Sequence, residues 1–510
     1  MYSDSLYLGF DAGTQSVKVA AYNGRHECLA QSIHSTTIYN PGPDMVEMDV
    51  DEYRILVERG LRECVKTLID KGYNPDNIRS VMGDGIICGI ACIDSAGNPI
   101  TRYINYLDSR TQPYADSINS LHNDIWRTET GNAEASCMFP AVIAEWFLDN
   151  IPDVKLHGAK FVHNAPYVLM HLAGVSSEDA FIDQGTMSGW GLGYRVTEKE
   201  WSGEQLDILG IPKDMMPRIV KPWDIIGGIT KEVSDRTGVP EGTPVCAGAG
   251  DTMQSMIGCG SVKPGTGVDV AGTCAMFCLS TDGIIPELSR AGSGLIFNSG
   301  SLDNTYFYWG YIRTGGLALK WFRNNVVSED YDTLNTKASE VPPGSGGVVF
   351  LPYLTGGVGD MAGASGCFLN MGLDTDRYVM WRAVLESIGY DYMRVADLCR
   401  SAGADLSRIT IAEGGSVNNL WNGIKADMLG CRADVMEVTG GAVLTDCIMG
   451  AYAVGDTDSL EPSLKSAVRV ERSFEPDSDR HSKYVGYARI REYVFENGMK
   501  KVYRTLSKLR

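Results

Sequence analysis

The stretch "LYLGFDAGTQSVKVAAYN", residues 6–23, decides how the whole chain is read. Apolar residues run up to Phe10. Asp11 follows, then a small-residue turn through Gly13 and Thr14, then an alternating run with Val17, Val19 and Ala21. This predicts a strand over 7–10, a turn over 12–15 and a second strand over 17–22. The end of a buried strand is a costly place for an idle carboxylate. As structure, Asp11 caps its own turn. As function, it waits for a cation.

The same pattern returns midway. "GTPVCAGAGDTMQSMIGCG" (242–260) reads as strand, tight glycine turn, helix. "GTGVDVAGTCAMFCLS" (265–280) reads as strand, Gly-Thr turn, strand. Aligned on Gly-Thr, "FDAGTQSVKVA" lies against "DVAGTCAMFCL", with Val270 where the first copy has Asp11. Two related halves follow, an N-terminal domain over 1–246 and a C-terminal domain over 247–510. Helical spacing marks 49–72, 376–402, 417–430 and 441–455, and a strand is expected over 408–412. Mixed helix and strand order in both halves predicts layered α/β domains, with the cleft between them as the default ligand site.

Composition limits the function classes. The 510 residues carry 44% hydrophobic and 21% charged residues, ordinary for a globular protein. The net charge of −19 argues against wrapping nucleic acid or an anionic membrane. Phosphate is still admissible, because backbone N–H groups and a bound cation can hold it. No basic-then-apolar leader and no apolar run of about 18 residues is visible, so neither a signal peptide nor a membrane span is expected. The thirteen cysteines show no CxxC pairing, which fits reduced thiols in a cytoplasm.

Three glycine turns carry the chemistry. Gly13-Thr14 and Gly272-Thr273 offer N–H and hydroxyl groups to β- and γ-phosphates, and Gly414-Gly415-Ser416 opens a helix where a nucleotide's adenosine end can approach the backbone. No GxxxxGK[ST] loop is present, so phosphate handling rests on hairpins. In that setting Asp11 is read as holding Mg²⁺ through water against the phosphates. Asp251, after Gly248-Ala249-Gly250, is either an N-cap or a general base taking a hydroxyl proton during phosphoryl transfer.

With these residues in place, the chain resembles the FGGY family of carbohydrate kinases on the actin-like ATPase fold, and its xylulose kinase-like members. "GFDAGTQSVK" resembles the first phosphate motif, including Gln15, and "VAGTCAMF" the second. The 242–260 segment resembles the catalytic-base motif, with the base on Asp251. "WRAVLESIGYDYMR" (381–394) matches a family helix at Arg382, Ala383 and Glu386, and "EGGSVNNLWNGIKADMLG" resembles the adenosine motif, which includes Asn418. The resemblance implies two RNase-H-like domains closing around ATP, Mg²⁺ and a sugar or polyol, with a homodimer as the expected assembly.

On the sugar side, "NYLDSRT" (105–111) resembles a W-x-D-x-R stretch, with Tyr106 in place of Trp and with Asp108 and Arg110 matching. The alternative for that acid and base is a local ion pair. Where xylulose kinases have Q-M-H-G, this chain has Ile86-Ile87-Cys88-Gly89. Asp84, in a Gly-Asp-Gly similar to that of erythritol kinases, is read either as a turn residue or as a ligand for a substrate hydroxyl, and Cys88 is a second candidate facing the sugar. The resemblance implies transfer to a primary hydroxyl of a ketopentose such as xylulose, or else of a polyol. A reading from another class, a non-catalytic actin-like nucleotide-binding protein, keeps Asp11 but has no use for Asp251 and "NYLDSRT".

Overall fold

In the computed structural model the opening stretch is a hairpin. Strands β1 (Leu6–Ala12) and β2 (Ser16–Asn23) pair antiparallel, with Ala12 opposite Val17. The structure describes residues 4–272, 274–312, 314–356, 364–412, 414–437 and 441–506. These divide into two units. The first is Met1–Gly260 with Phe297–Tyr306 and Gly440–Val468; the second is Ser261–Ile296, Phe307–Thr439 and Arg469–Arg510. Residues 247–260 therefore lie in the first unit.

In the first unit, β3 (Cys28–Ser35) extends the hairpin, and β4 (Ile78–Gly85) runs parallel to β1. β5 (Ile225–Gly228) and β6 (Pro244–Cys246) complete the order β5-β6-β4-β1-β2-β3, and Ala249–Gly250 also pairs with β4. The period of two in β1 splits its side chains between two faces. Leu6, Leu8 and Phe10 are fully buried in a core shared with Tyr53, Val57, Leu61 and Leu68, which recur at helical spacing along Val50–Asp70. On the other face the backbone at Gly9 approaches helix Ala442–Ala453 closely. A Cβ built there would stand 2.8 Å from the Val443 carbonyl oxygen. Asp11 shares that second face with Gly9, and Asp84 lies level with it on β4.

In the second unit, β7 (Thr266–Ala271) and β8 (Ala275–Thr281) form the second hairpin, with Ala271 opposite Ala275. Its turn is one residue shorter than the first. β9 (Tyr306–Ile312) lies beyond β8. On the other side come β10 (Arg408–Ala412), β11 (Arg432–Met436) and β12 (Val470–Phe474), in the order β9-β8-β7-β10-β11-β12. β7 runs parallel to β10, β10 parallel to β11, and β12 antiparallel to β11. The first unit has the same sequence of directions through β1, β4, β6 and β5. The short Gly-Thr match is thus the visible edge of a repeated sheet. Among the described residues no helix is long and apolar enough to cross a membrane.

Candidate active site

The first hairpin turn is pinned from below by groups distant in sequence. Tyr53 Oη donates to the Gly13 carbonyl at 3.0 Å, and Asn164 Nδ2 donates to the Ala12 carbonyl at 2.7 Å. Thr36 Oγ1 donates to the Thr14 carbonyl at 2.6 Å, and Asn105 Nδ2 to Thr14 Oγ1 at 3.4 Å. Gln15 is exposed, and its carbonyl accepts from the Thr36 N–H. Every one of these bonds commits a turn carbonyl or hydroxyl to the protein. A rigid turn of this kind can present groups to an anion without rearranging. No sequence motif singles out Thr36, Tyr53, Asn105 or Asn164 for this role; an asparagine heading the apolar run "NAPYVLMHLA" is the available signal.

Asp251 is the first residue of helix Asp251–Gly258, following the Gly250 N-cap. Its Oδ1 accepts from the Thr252 N–H at 2.5 Å and from Thr252 Oγ1 at 3.1 Å. The chain reaches this point through a tight bend. Gly248 has φ +76°, and a Cβ on it would fall 2.0 Å from the Gly83 carbonyl oxygen. Both the conformation and the space demand glycine. Gly248→Ala is therefore expected to destabilise the protein by about 2–4 kcal/mol. Denaturant unfolding reads this directly, and a midpoint equal to wild type would show that the bend relaxes.

Three of the candidate carboxylates share one neighbourhood. Burial first, then the charges of Asp446, Asp11 and Asp251, push the Asp84 carboxyl well above the usual range. The Cys88 thiol is pushed up to about 12 by burial and by the Asp251 charge, so it is neutral. Its Sγ donates to the Gly189 carbonyl at 3.7 Å. Asp84 is fully buried and Cys88 is buried beside Ile86 and Ile87. Tyr106 is half-buried. Asp108 is engaged locally: it accepts from the Val46 N–H at 2.6 Å and from the Arg110 guanidinium at 2.8 Å. Arg110 also reaches Glu47 Oε1 at 2.8 Å and lies over the Trp146 ring at 5.1 Å. The local ion pair that the sequence offers as an alternative is present in the geometry.

Nearby, Asp183 is buried and accepts from the Gly185 and Thr186 N–H groups. Burial raises its carboxyl to about 6, with the Thr186 and Gly185 hydrogen bonds opposing. A raised folded-state value means that the protonated form stabilises the fold below about pH 4 and that this contribution is lost as pH rises through 6. Asp183→Asn should therefore gain about 2–3 kcal/mol relative to wild type between pH 4 and 7. Denaturation curves of both proteins at the two pH values check this, and a pH-independent difference would contradict it.

In the second unit, Gly414–Val417 forms a 3₁₀ turn and Asn418 caps helix Asn419–Leu429, its side chain accepting from the Trp421 N–H. A Cβ on Gly415 would fall 2.9 Å from both Cβ and O of Ala271. The turn read as adenosine-binding thus packs directly on the residue before Gly272. Ser416 is buried, and its carbonyl accepts from Asn422 Nδ2 at 2.7 Å. The Gly272 carbonyl accepts from the Gly316 N–H at 2.8 Å. Thr273 lies outside the described residues. Asp269, one position before Val270, pairs with Lys425 and accepts from the Tyr392 hydroxyl. Arg382 and Glu386 are a buried pair at 2.8 Å, with Glu386 also bonded to Tyr484, Ser345 and the Gly344 N–H.

Two sheets of one topology, each with an antiparallel hairpin beside parallel strands, are the actin-like ATPase fold. The profile of the N-terminal domain of the FGGY family of carbohydrate kinases matches residues 6–258, and that of the C-terminal domain matches residues 270–454. The chain is 23% identical over 483 residues to a xylulose kinase of Bacillus subtilis, covering 94% of each. It is 24% identical over 474 residues to a gluconokinase of Bacillus licheniformis, covering 90% of this chain and 89% of that one. The crystal structure of a xylulose kinase from Rhodospirillum rubrum superposes with a TM-score of 0.87 at 21% identity, covering 98% of this chain and 100% of that one. The chain belongs to the FGGY family of carbohydrate kinases. It is accordingly a carbohydrate kinase, and ATP is the substrate that the family implies.

Proposed function

We propose that this kinase transfers the γ-phosphoryl group of ATP to a primary hydroxyl of a ketopentose such as xylulose, with Asp251 as general base. The observation that carries the reading is the placement of Asp251 at a helix start, within electrostatic reach of Cys88 and Asp84 and on the unit that holds the Gly13-Thr14 turn. Asp251 takes the hydroxyl proton as the new O–P bond forms and ADP departs. The turns at Gly13–Gln15 and Gly272-Thr273 hold phosphate, and Gly414–Asn418 hold the adenosine. Tyr106 supplies an aromatic wall for the carbon skeleton. Asp108 and Arg110 shape the loop that carries it, and Cys88 lines the site as a neutral thiol.

Asp11 fits Mg²⁺. Its Oδ1 lies 3.4 Å from the point where a Cβ of Gly13 would stand, so the missing side chain leaves room above the carboxylate. Among the described residues no three His, Cys, Asp or Glu side chains converge as a ready-made cage. One carboxylate completed by water and phosphate oxygens is the ordinary arrangement for this cation. When bound, Mg²⁺ neutralises charge on the transferring group.

A polyol, erythritol- or glycerol-like, is the second reading. It is favoured by buried Ile86, Ile87 and Cys88, whose side chains leave few hydrogen bonds for sugar hydroxyls. Identification of the phosphorylated carbon by ³¹P–¹H NMR after incubation with xylulose and ATP tests the leading reading. An ester at the primary carbon supports it; unreacted xylulose alongside phosphorylated erythritol or glycerol would favour the polyol.

A further inference from the structure

Within the second unit, a closed circuit of contacts joins strand β7 to the turn before helix Asn419–Leu429. Asp269 and Ala271 lie two apart on β7 and so share one face of the strand. Ala271 meets the turn: its Cβ and carbonyl oxygen lie 2.9 Å from where a Cβ of Gly415 would stand. That same point lies 3.1 Å from Cζ3 of Trp421. Trp421 and Lys425 are four apart on the helix, so their side chains are neighbours on its surface. Lys425 Nζ lies 3.6 Å from the centre of the Trp421 indole and pairs with Asp269 Oδ2, which closes the circuit on β7. Helix Arg377–Ser401 backs it from behind. Its Tyr392 hydroxyl donates to Asp269 Oδ1, and its Leu385 carbonyl accepts from Trp421 Nε1 at 2.8 Å.

Asp269 and Lys425 are at 0% exposure. An ion pair buried this deeply is a poor source of stability. Desolvation offsets its attraction, and apolar residues of similar volume hold a fold as well or better. What such residues lack is direction: a charged pair specifies which turn of a helix stands against which residue of a strand. Here β7 runs into Gly272, and the helix begins where Gly414–Asn418 end. The register of the helix on β7 therefore sets the spacing of the two turns. A nucleotide has a fixed length between its adenosine and its phosphates, and a displacement of about 1 Å at a positioning group costs on the order of 100-fold.

We propose that the Asp269–Lys425 pair, acting through Trp421 and Gly415, is the positioning unit that sets the spacing of the two nucleotide turns of the second unit. The proposal rests on the reading of those turns as phosphate- and adenosine-binding. Its effect falls on ATP and ADP and spares the sugar, whose candidate residues all belong to the first unit.

Lys425→Met and the double variant Asp269→Asn/Lys425→Met test this. Asparagine keeps an acceptor for the Tyr392 hydroxyl, and methionine keeps much of the length of lysine without its charge. The readouts are ADP affinity in the presence of Mg²⁺ by titration calorimetry, the KM values for ATP and xylulose in steady-state ADP release, hydrogen exchange of peptides spanning 415–429, and the denaturant midpoint. The double variant should keep a midpoint close to wild type. It should weaken ADP binding about 10- to 100-fold, raise the KM for ATP by a similar factor and leave the KM for xylulose within about threefold. Exchange over 415–421 should be faster without ligand. Lys425→Met strands a buried carboxylate and should lose stability as well; if it does not fold, the double variant carries the test. If xylulose is not turned over, ADP affinity and exchange decide alone. ADP affinity of the double variant equal to wild type would overturn the proposal. A lowered midpoint with equal losses toward ATP and xylulose would also overturn it, because the pair would then only support the fold. ADP that leaves exchange over 415–429 unchanged in wild type would instead remove the adenosine from this turn, and exchange in the ligand-free double variant would still judge the link.

Discussion

With Asp251 as the proposed base, Asp251→Asn is expected to lower kcat by about 10²–10⁴-fold, with the KM for ATP and the thermal midpoint close to wild type. Asparagine keeps the size and one acceptor oxygen, so the bonds from Thr252 to Oδ1 survive. What it cannot do is take a proton. A neutral hydroxyl then has to attack the γ-phosphorus without a base, and the remaining rate reflects positioning and charge neutralisation alone. Steady-state ADP release in the presence of the sugar measures the effect. An Asp251→Asn enzyme with undiminished kcat would move the base elsewhere.

Asp11→Asn is expected to give the second large loss, from the proposed role of Asp11 toward Mg²⁺. It should reduce kcat/KM for ATP by about 100-fold or more and raise the Mg²⁺ concentration needed for half-maximal rate. The amide side chain keeps the place at the end of β1 but lacks the negative charge that draws a divalent cation. The neighbouring Asp84 is fully buried and Asp251 is the proposed base for the substrate hydroxyl, so neither replaces it. A Mg²⁺ titration of both proteins at saturating sugar reads the shift. Identical half-saturation would show that Asp11 only caps its turn.

The hairpins and the helix that begins at Asp251 were legible because their signals are local. Alternation in 7–22, helical spacing in 49–72 and the glycine bend before Asp251 each lie within a few residues, and the observed elements Leu6–Ala12, Val50–Asp70 and Asp251–Gly258 match them. The second Gly-Thr turn could be aligned with the first for the same reason, although its turn proved one residue shorter. The supports of the site were not legible, because they come from afar. Asn164 reaches Ala12 across 152 positions, and Gln254 reaches Asp446 across 192. Helix Ala442–Ala453 is apolar nearly all round, so periodicity says nothing about which unit it covers; it packs on the first through Gly9. Its one buried acid, Asp446 in "GAVLTDCIMG", was the signal available, since a carboxylate in such a helix must have a partner. The sugar side stays the least legible part: Ile86, Ile87 and Cys88 remove side chains without showing what replaces their hydrogen bonds.

ADP release over a panel of pentuloses, polyols and gluconate tests whether phosphoryl transfer by this kinase depends on a sugar acceptor. Xylulose is expected to raise the rate at least about tenfold above the rate with ATP and Mg²⁺ alone, to do so more than gluconate, and to lose this effect in Asp251→Asn. A panel in which no polyhydroxy compound raises ADP release above that background would contradict it.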